Sequence, residues 1–453
     1  MSLILLGPDR PTGIVARSGR RLVVLGLSFA LLVGLTGVVL ARTFPPNAEV
    51  GLSSGTIAWD GDGVVREVPA GSGTVLPGTR VLAGTPRTAE LVAAEQAWLA
   101  AGRVPAVPEL TGATDGSADL VRSALLDLHV LGATYGLPVA GWTGPWRYVW
   151  PRDSALVAVA LARTGHVVDA DRVLTFLGEV QPPSGVFQAR YRPDGSVPDA
   201  RGTQLDGTGW ALWATAEVAQ ALPAAQRPAF VARHRTLLDR STAAALHAID
   251  DPDDLPPASA DYWEVPEHRT TLATAALLRA GLEAAARLEG FADQPAAVDR
   301  DTAAARRLGA AVTRRFGPDG YPRRLGGRPG SVDLGVAFLL PPFTDEVDPG
   351  VHAAFLAAAG PMARPAGGLA PGGSWRRDGV SWTTATSSYA LTAAASGDRA
   401  VALDRLRWLA AHRTAEGSLP EKVLADGRPA AVAPLGWTAA AVVLAADELA
   451  RPV

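Results

Sequence analysis

The chain contains no cysteine. Disulfides, thiolate nucleophiles and cysteine metal sites are excluded together. That absence does not place the chain in a reducing compartment, because 453 residues bury a core large enough to do without bridges. Lysine is nearly missing as well: Lys422 is the only one, against many Arg, Ala, Gly and Pro, a usage that looks like codon bias. No basic stripe stands out and the formal net charge is -3, so nucleic acid is not a partner. The seven histidines show no ligand spacing such as HExxH, and no metal site is read from them. Strand-like alternation is almost absent after residue 87, and no solenoid-type repeat is visible.

What is present begins with an uncharged apolar run, residues 22–41, long enough to cross a bilayer once. Arg17, Arg20 and Arg21 precede it, so residues 1–21 are expected in the cytoplasm and the rest outside. A cleaved signal peptide is the competing reading, with Val39-Leu40-Ala41 a passable cut site. The run and its leader are long for that, which favours an uncleaved anchor; a buried core helix is the third reading. Residues 43–86 read as a linker with a small β element, in which TIAWDGDGVVREV carries a hairpin signal at Asp-Gly.

From residue 87 to 453 the texture is helical. Periodic Ala- and Leu-rich segments fall at 88–102, 116–134, 153–165, 168–180, 207–221, 227–248, 269–289, 295–316, 333–340, 349–359, 382–396, 399–413 and 434–450. Short connections favour antiparallel neighbours, so an open stack or a closed double ring is expected. Polar, aromatic segments recur just before every second helix: WPRD at Asp153, LDG at Asp206 and DYWE at Glu264. A closed double ring would gather such loops at one mouth.

Two glutamates suit the chemistry of glycosidic bonds, which needs one carboxylic acid and one carboxylate in unlike environments. Glu264 follows Tyr262 and Trp263, an aromatic wall expected to desolvate it. The plainer reading is a helix-leading glutamate at the positive end of the dipole. Glu421 lies in GSLPEKV beside Lys422, whose charge suits a base kept ionised, or else it is an ordinary surface glutamate. Arg152 and Asp153 follow Trp146, Tyr148 and Trp150 and could hold a sugar ring; helix capping is the alternative for Asp153 and for Asp206. Twelve Trp residues offer sugar platforms, although many of them are expected in the core.

The segments GPWRYVWPRDS, QLDGTGWALWATA, DYWEVPEHRTTLATAALLRAGLEAA and GSLPEKV with APLGWTAAAVVLAADEL resemble, in order, segments of glycoside hydrolase family 15, the glucoamylase family. The resemblance covers residues 90–450. It implies an all-α (α/α)6 barrel with its site at one mouth and no cofactor or metal. It further implies an inverting mechanism on α-glucosidic bonds, with Glu264 as acid and Glu421 as base. Arg152, Asp153, Trp150, Tyr148, Asp206, Trp263 and Trp437 would bind an oligosaccharide or glycan. Lys422 departs from the family's polar residue after the base, and residues 43–86 are too short for the N-terminal β-sandwich of bacterial members. Those departures move the expected substrate from starch toward a short oligosaccharide, a trehalose-like disaccharide or an envelope glycan. Competing functions are phosphorolysis or lysis on the same fold, a non-catalytic envelope glycan-binding protein, and a tethered structural repeat. The apparent base argues against the first, the intact pair against the second, and the supply of Trp at the expected mouth against the third.

Overall fold

The structure is a computed structural model that describes residues 51–111 and 117–451. The expected anchor at 22–41 and the segment 1–21 lie outside the described residues. Among the described residues, no helix is long and apolar enough to cross a membrane.

The described chain opens with an antiparallel hairpin, β1 (Thr56–Trp59) and β2 (Val65–Val68). Asp60 makes the turn, its Oδ1 accepting from the backbone N–H of Asp62 and of Val64, each at 2.9 Å. The hairpin is tied to the far end of the sequence: the Ser53 N–H donates to the Ala431 carbonyl at 2.7 Å, and the hydroxyls of Thr56 and Ser418 meet at 2.6 Å. It therefore braces the loop that carries Glu421.

Helices follow: α1 (Thr88–Ala101), α2 (Pro108–Thr111), α3 (Leu120–Gly132), α4 (Pro151–Arg163), α5 (Val167–Val180), α6 (Asp206–Ala221) and α7 (Arg227–Arg233). Then come α8 (Arg235–Ala248), α9 (Leu272–Phe291), α10 (Pro295–Phe316), α11 (Pro349–Met362), α12 (Thr383–Ala395), α13 (Arg399–Ala411) and α14 (Gly436–Ala450). A three-stranded sheet joins β3 (Ser381–Trp382), β4 (Lys422–Val423) and β5 (Pro429–Ala430), all antiparallel.

Six elements form a closed inner ring: α4, α6, α9, the 3-10 helix Leu334–Leu339, α12 and α14, which returns to α4. Each is preceded by an outer helix: α3, α5, α8, α10, α11 and α13. This is the (α/α)6 barrel. The inner helices are buried almost all round, as a helix enclosed by neighbours must be. Alanine and glycine dominate them because bulkier side chains would hold the ring apart.

Gly209 of α6 and Gly281 of α9 mark the tightest approach. A Cβ at Gly209 would lie 2.1 Å from the Leu277 carbonyl oxygen, and one at Gly281 would lie 2.8 Å from the Gly209 Cα. Both obstacles are backbone, so relief requires the helices to separate. Gly209→Ala is expected to destabilise the fold by about 3 kcal/mol, read as a lower urea midpoint; an unchanged midpoint would contradict this packing.

Two expected helices differ in detail. The span 227–248 breaks at His234, whose Nε2 lies 2.7 Å from Asp171 Oδ1 in α5 and whose ring leans on Phe230. That buried contact turns the chain between α7 and α8. The span 333–340 is a 3-10 helix: Asp333 caps it by accepting from the Gly335 N–H at 2.9 Å, and Pro341 and Pro342 follow it. Proline offers no N–H for a further turn.

Candidate active site

The N-terminal ends of the inner elements and the loops before them converge on one cavity of about 270 Å³. Glu264 enters it from the loop before the third inner element, and Glu421 from the bend just before β4, ahead of the sixth. The third and sixth members lie opposite in ring order, and the Glu421 backbone is tied at Thr383 to the start of the fifth, so the two glutamates enter from separate parts of the ring. Arg152 and Asp153 line the cavity from the first turn of α4, which Pro151 opens with its preset φ.

Glu421 is fixed by its backbone. Its N–H donates to the Val432 carbonyl at 2.8 Å, and its own carbonyl accepts from the Thr383 N–H and Oγ1, each at 3.0 Å. Its Oε1 accepts from Trp146 Nε1 at 3.1 Å. The β3–β4 register sets Lys422 opposite Trp382, so Lys422 Nζ lies 4.3 Å above that ring and 3.2 Å from Glu421 Oε2. This approach is an ion pair without hydrogen-bond geometry, and Oε2 is buried with no donor among the described residues.

Glu264 sits in a turn closed by its N–H donating to the Asp261 carbonyl at 2.8 Å, with φ +54°. Its Oε1 accepts from Trp150 Nε1 at 2.6 Å and lies 3.4 Å from Arg152 Nη2; its Oε2 pairs with Arg201. These neighbours differ from the expected apolar wall. Trp263 turns instead beneath Arg323, 3.9 Å from its guanidinium, and meets Trp375 edge to face at 4.6 Å. The carboxyl therefore has an indole N–H and two guanidiniums around it. Arg201 is the more exposed of the two, 40% against 8% for Arg152, so it is the one free to give way.

Arg152 is buried among carboxylates. Burial works against its charge, but Asp153, Glu264 and Asp206 outweigh that and raise its pKa. Burial pushes the Asp153 carboxyl up to about 6, with Arg152 opposing. Burial pushes Asp206 up to about 7, with Arg152 and the Gly207 backbone opposing.

Of the residues singled out in the sequence, Trp150, Trp263 and Trp437 line the cavity with Arg152, Asp153 and both glutamates. Trp437 donates to Ser388 Oγ at 2.8 Å and lies under Arg152 at 5.0 Å. Tyr148 and Asp206 do not line it. Tyr148 supports Arg190 at 4.3 Å, and Asp206 is buried at the first position of α6. The lining also includes Trp146, Arg190, Arg201, Trp375 and Trp382, which were not among the expected binding residues. Trp382 stands immediately before an inner helix, as Trp150 does, and that placement is the signal that would have found it.

Asp206 makes a pH test available. Folded, it keeps its proton to about pH 7; unfolded, it loses it near the ordinary 3.8. Between those values the unfolded chain binds fewer protons, so the stability from this group is present below the unfolded value and lost as pH rises through the folded one. Asp206→Asn stays neutral throughout. Its stability relative to the parent is expected to rise between pH 4 and pH 8 by on the order of 4 kcal/mol, measured by urea unfolding at each pH. A difference that does not change with pH would contradict this.

No protein-family model matches the chain, and no curated protein matches it in sequence. Solved structures do. A glycosidase in complex with glucose superposes with TM-score 0.62 at 22% identity, covering 73% of this chain and 96% of its own. A bacterial glucoamylase complexed with acarbose gives TM-score 0.57 at 20% identity, covering 74% of this chain and 56% of its own. The family 15 glucoamylase of Hypocrea jecorina gives 0.55 at 13%, covering 79% and 72%. The barrel with carboxylates at its mouth thus defines a class, the helical-toroid fold of glycosidases. Within that class the chain has the glucoamylase-like fold, as its sequence motifs implied.

Proposed function

We propose that this chain is an exported glycoside hydrolase that cleaves α-glucosidic bonds at the non-reducing end of an oligosaccharide, with inversion. The observation that carries the reading is that Glu264 and Glu421, on segments leading into separate members of one ring, line the same cavity as Arg152 and Asp153. Inversion needs an acid on one side of the sugar and a base with water on the other.

In this reading Arg152 and Asp153 grip the terminal sugar, and Trp150, Trp263 and Trp437 shape its pocket. Glu264 gives its proton to the glycosidic oxygen as the bond from C1 to that oxygen breaks. A water attacks C1 from the opposite face, and Glu421 Oε2, which accepts no hydrogen bond, takes the water's proton. The product sugar is then the β-anomer. Arg201 releases Glu264 before the acid takes up its proton. The cavity is slightly smaller than typical small-molecule sites of ~300–1,000 Å³, which suits a terminal sugar better than a long chain. The glucose and acarbose in the similar structures belong to those proteins and support a sugar ligand here.

The test is sugar release from a panel of α-linked gluco-oligosaccharides and trehalose. Release from at least one member is expected; binding without release from any would favour a glycan-binding protein. Export through residues 22–41 is part of the proposal, and protease added to intact cells should remove the barrel. Full protection in intact but not lysed cells would contradict it.

A further inference from the structure

Outside the cavity lining, one buried guanidinium holds the whole Glu264 loop. Arg323 follows α10 and is 2% exposed. Its Nη2 donates to Asp261 Oδ1 at 2.7 Å and to Glu267 Oε1 at 2.8 Å, and its Nη1 donates to Asp333 Oδ2 at 2.7 Å. Its guanidinium also covers the Trp263 ring at 3.9 Å. Tyr262 joins the same group, its hydroxyl donating to Asp333 Oδ2 at 2.7 Å.

The contacts bracket Glu264. Asp261 lies three residues before it and Glu267 three residues after, and both are fastened to one side chain. Between the two ties Glu264 takes φ +54°, a left-handed conformation uncommon for a residue with a side chain. Such an outlier persists only where its surroundings over-determine it. Arg323 is itself held: its N–H donates to the Ser331 carbonyl and its carbonyl accepts from the Leu272 N–H, both at 2.8 Å. Asp333 caps the fourth inner element. Arg323 therefore joins the acid loop to the third member of the inner ring through its carbonyl and to the fourth through its guanidinium.

We propose that Arg323 is a positioning residue for catalysis: by clamping Asp261 and Glu267 it forces the left-handed turn that aims the Glu264 carboxyl into the cavity. The proposal rests on the reading of Glu264 as general acid. Arg324 reinforces the far tie, its Nη2 donating to Glu267 Oε1 at 2.8 Å. A lysine cannot replace the fork, since an ammonium lacks the planar set of donors that reaches three carboxylates at once.

The test separates positioning from folding by the leaving group. Hydrolysis of an α-linked glucose disaccharide needs a proton from the acid; hydrolysis of α-glucosyl fluoride does not, because fluoride leaves as the anion. Arg323→Lys is expected to lower kcat on the disaccharide about 10²-fold, the cost of misplacing a catalytic group by about 1 Å. Its kcat on the fluoride should stay within about threefold of the parent, and any rise in KM from the loosened Trp263 ring should be equal for the two substrates, since Glu421, Arg152 and Asp153 are untouched. Glu267→Gln keeps the shape of the loop but loosens its far tie, since a neutral amide with one donor edge replaces a carboxylate held by two guanidiniums, so it carries the test if the lysine variant does not fold; the same selective loss is expected, about tenfold. Equal losses on the two substrates in folded Glu267→Gln, or no loss on either, would overturn the proposal. Glu264→Gln run alongside tells the two readings apart. Its disaccharide activity should collapse while fluoride hydrolysis persists, and intact disaccharide activity would remove Glu264 as the acid and the clamp's purpose with it.

Discussion

Glu421→Gln is expected to lower kcat by about 10²–10⁴-fold on any glycoside the protein cleaves, with the fold unchanged. Glutamine keeps the shape and the Trp146 hydrogen bond, but its amide cannot take a proton from water. The backbone ties to Val432 and Thr383 do not involve the side chain, so the loop stays in place. Lys422 loses its carboxylate partner but keeps the face of Trp382. A stability effect is therefore small, and a lost activity reports chemistry. Added azide should restore part of the turnover by attacking C1 from the side the base has left, forming β-glucosyl azide. Retention of more than about a tenth of the parental kcat would remove Glu421 from the role of base.

Asp153→Asn is expected to lower kcat/KM about 10²-fold or more, because a buried charged acceptor of sugar hydroxyls is replaced by a neutral amide. It also carries a pH signature. Burial holds the Asp153 carboxyl at about 6, so the ionised form, proposed to grip sugar, is present above that pH and lost below it. Parental KM should rise as pH falls through 6, and the Asn variant should show no such rise. A variant with the parental pH dependence of KM would show that Asp153 does not hold the substrate in its charged form.

The closure of the helices into a ring is made by contacts distant in sequence, and only the family resemblance implied it. The helices themselves were legible because their signals are local: Gly and Pro mark their ends and apolar periodicity runs between. The motif residues were legible for the same reason: Arg152, Asp153, Glu264 and Trp437 lie within a helix turn or a short loop of an inner N-terminus. What escaped is made by contacts distant in sequence. Arg201 reaches Glu264 across 63 residues, and Trp146 reaches Glu421 across 275. The surroundings of Glu264 were misread for a related reason. Adjacency to Trp263 suggested an apolar wall, but the Trp263 ring packs against Arg323, and the groups that bond the carboxyl are Trp150 and two guanidiniums. Tyr148 and Asp206 belong to the same motifs, yet Tyr148 packs against Arg190 and Asp206 is buried at the first position of α6.

The most direct test of an inverting pair formed by Glu264 and Glu421 is the anomer of the first sugar released. The purified full-length protein would be mixed with an α-linked gluco-oligosaccharide that it cleaves and followed by proton NMR before mutarotation sets in. β-Glucose appearing first is the expected result. α-Glucose appearing first would contradict the assignment of Glu421 as a base acting on water across the ring from Glu264.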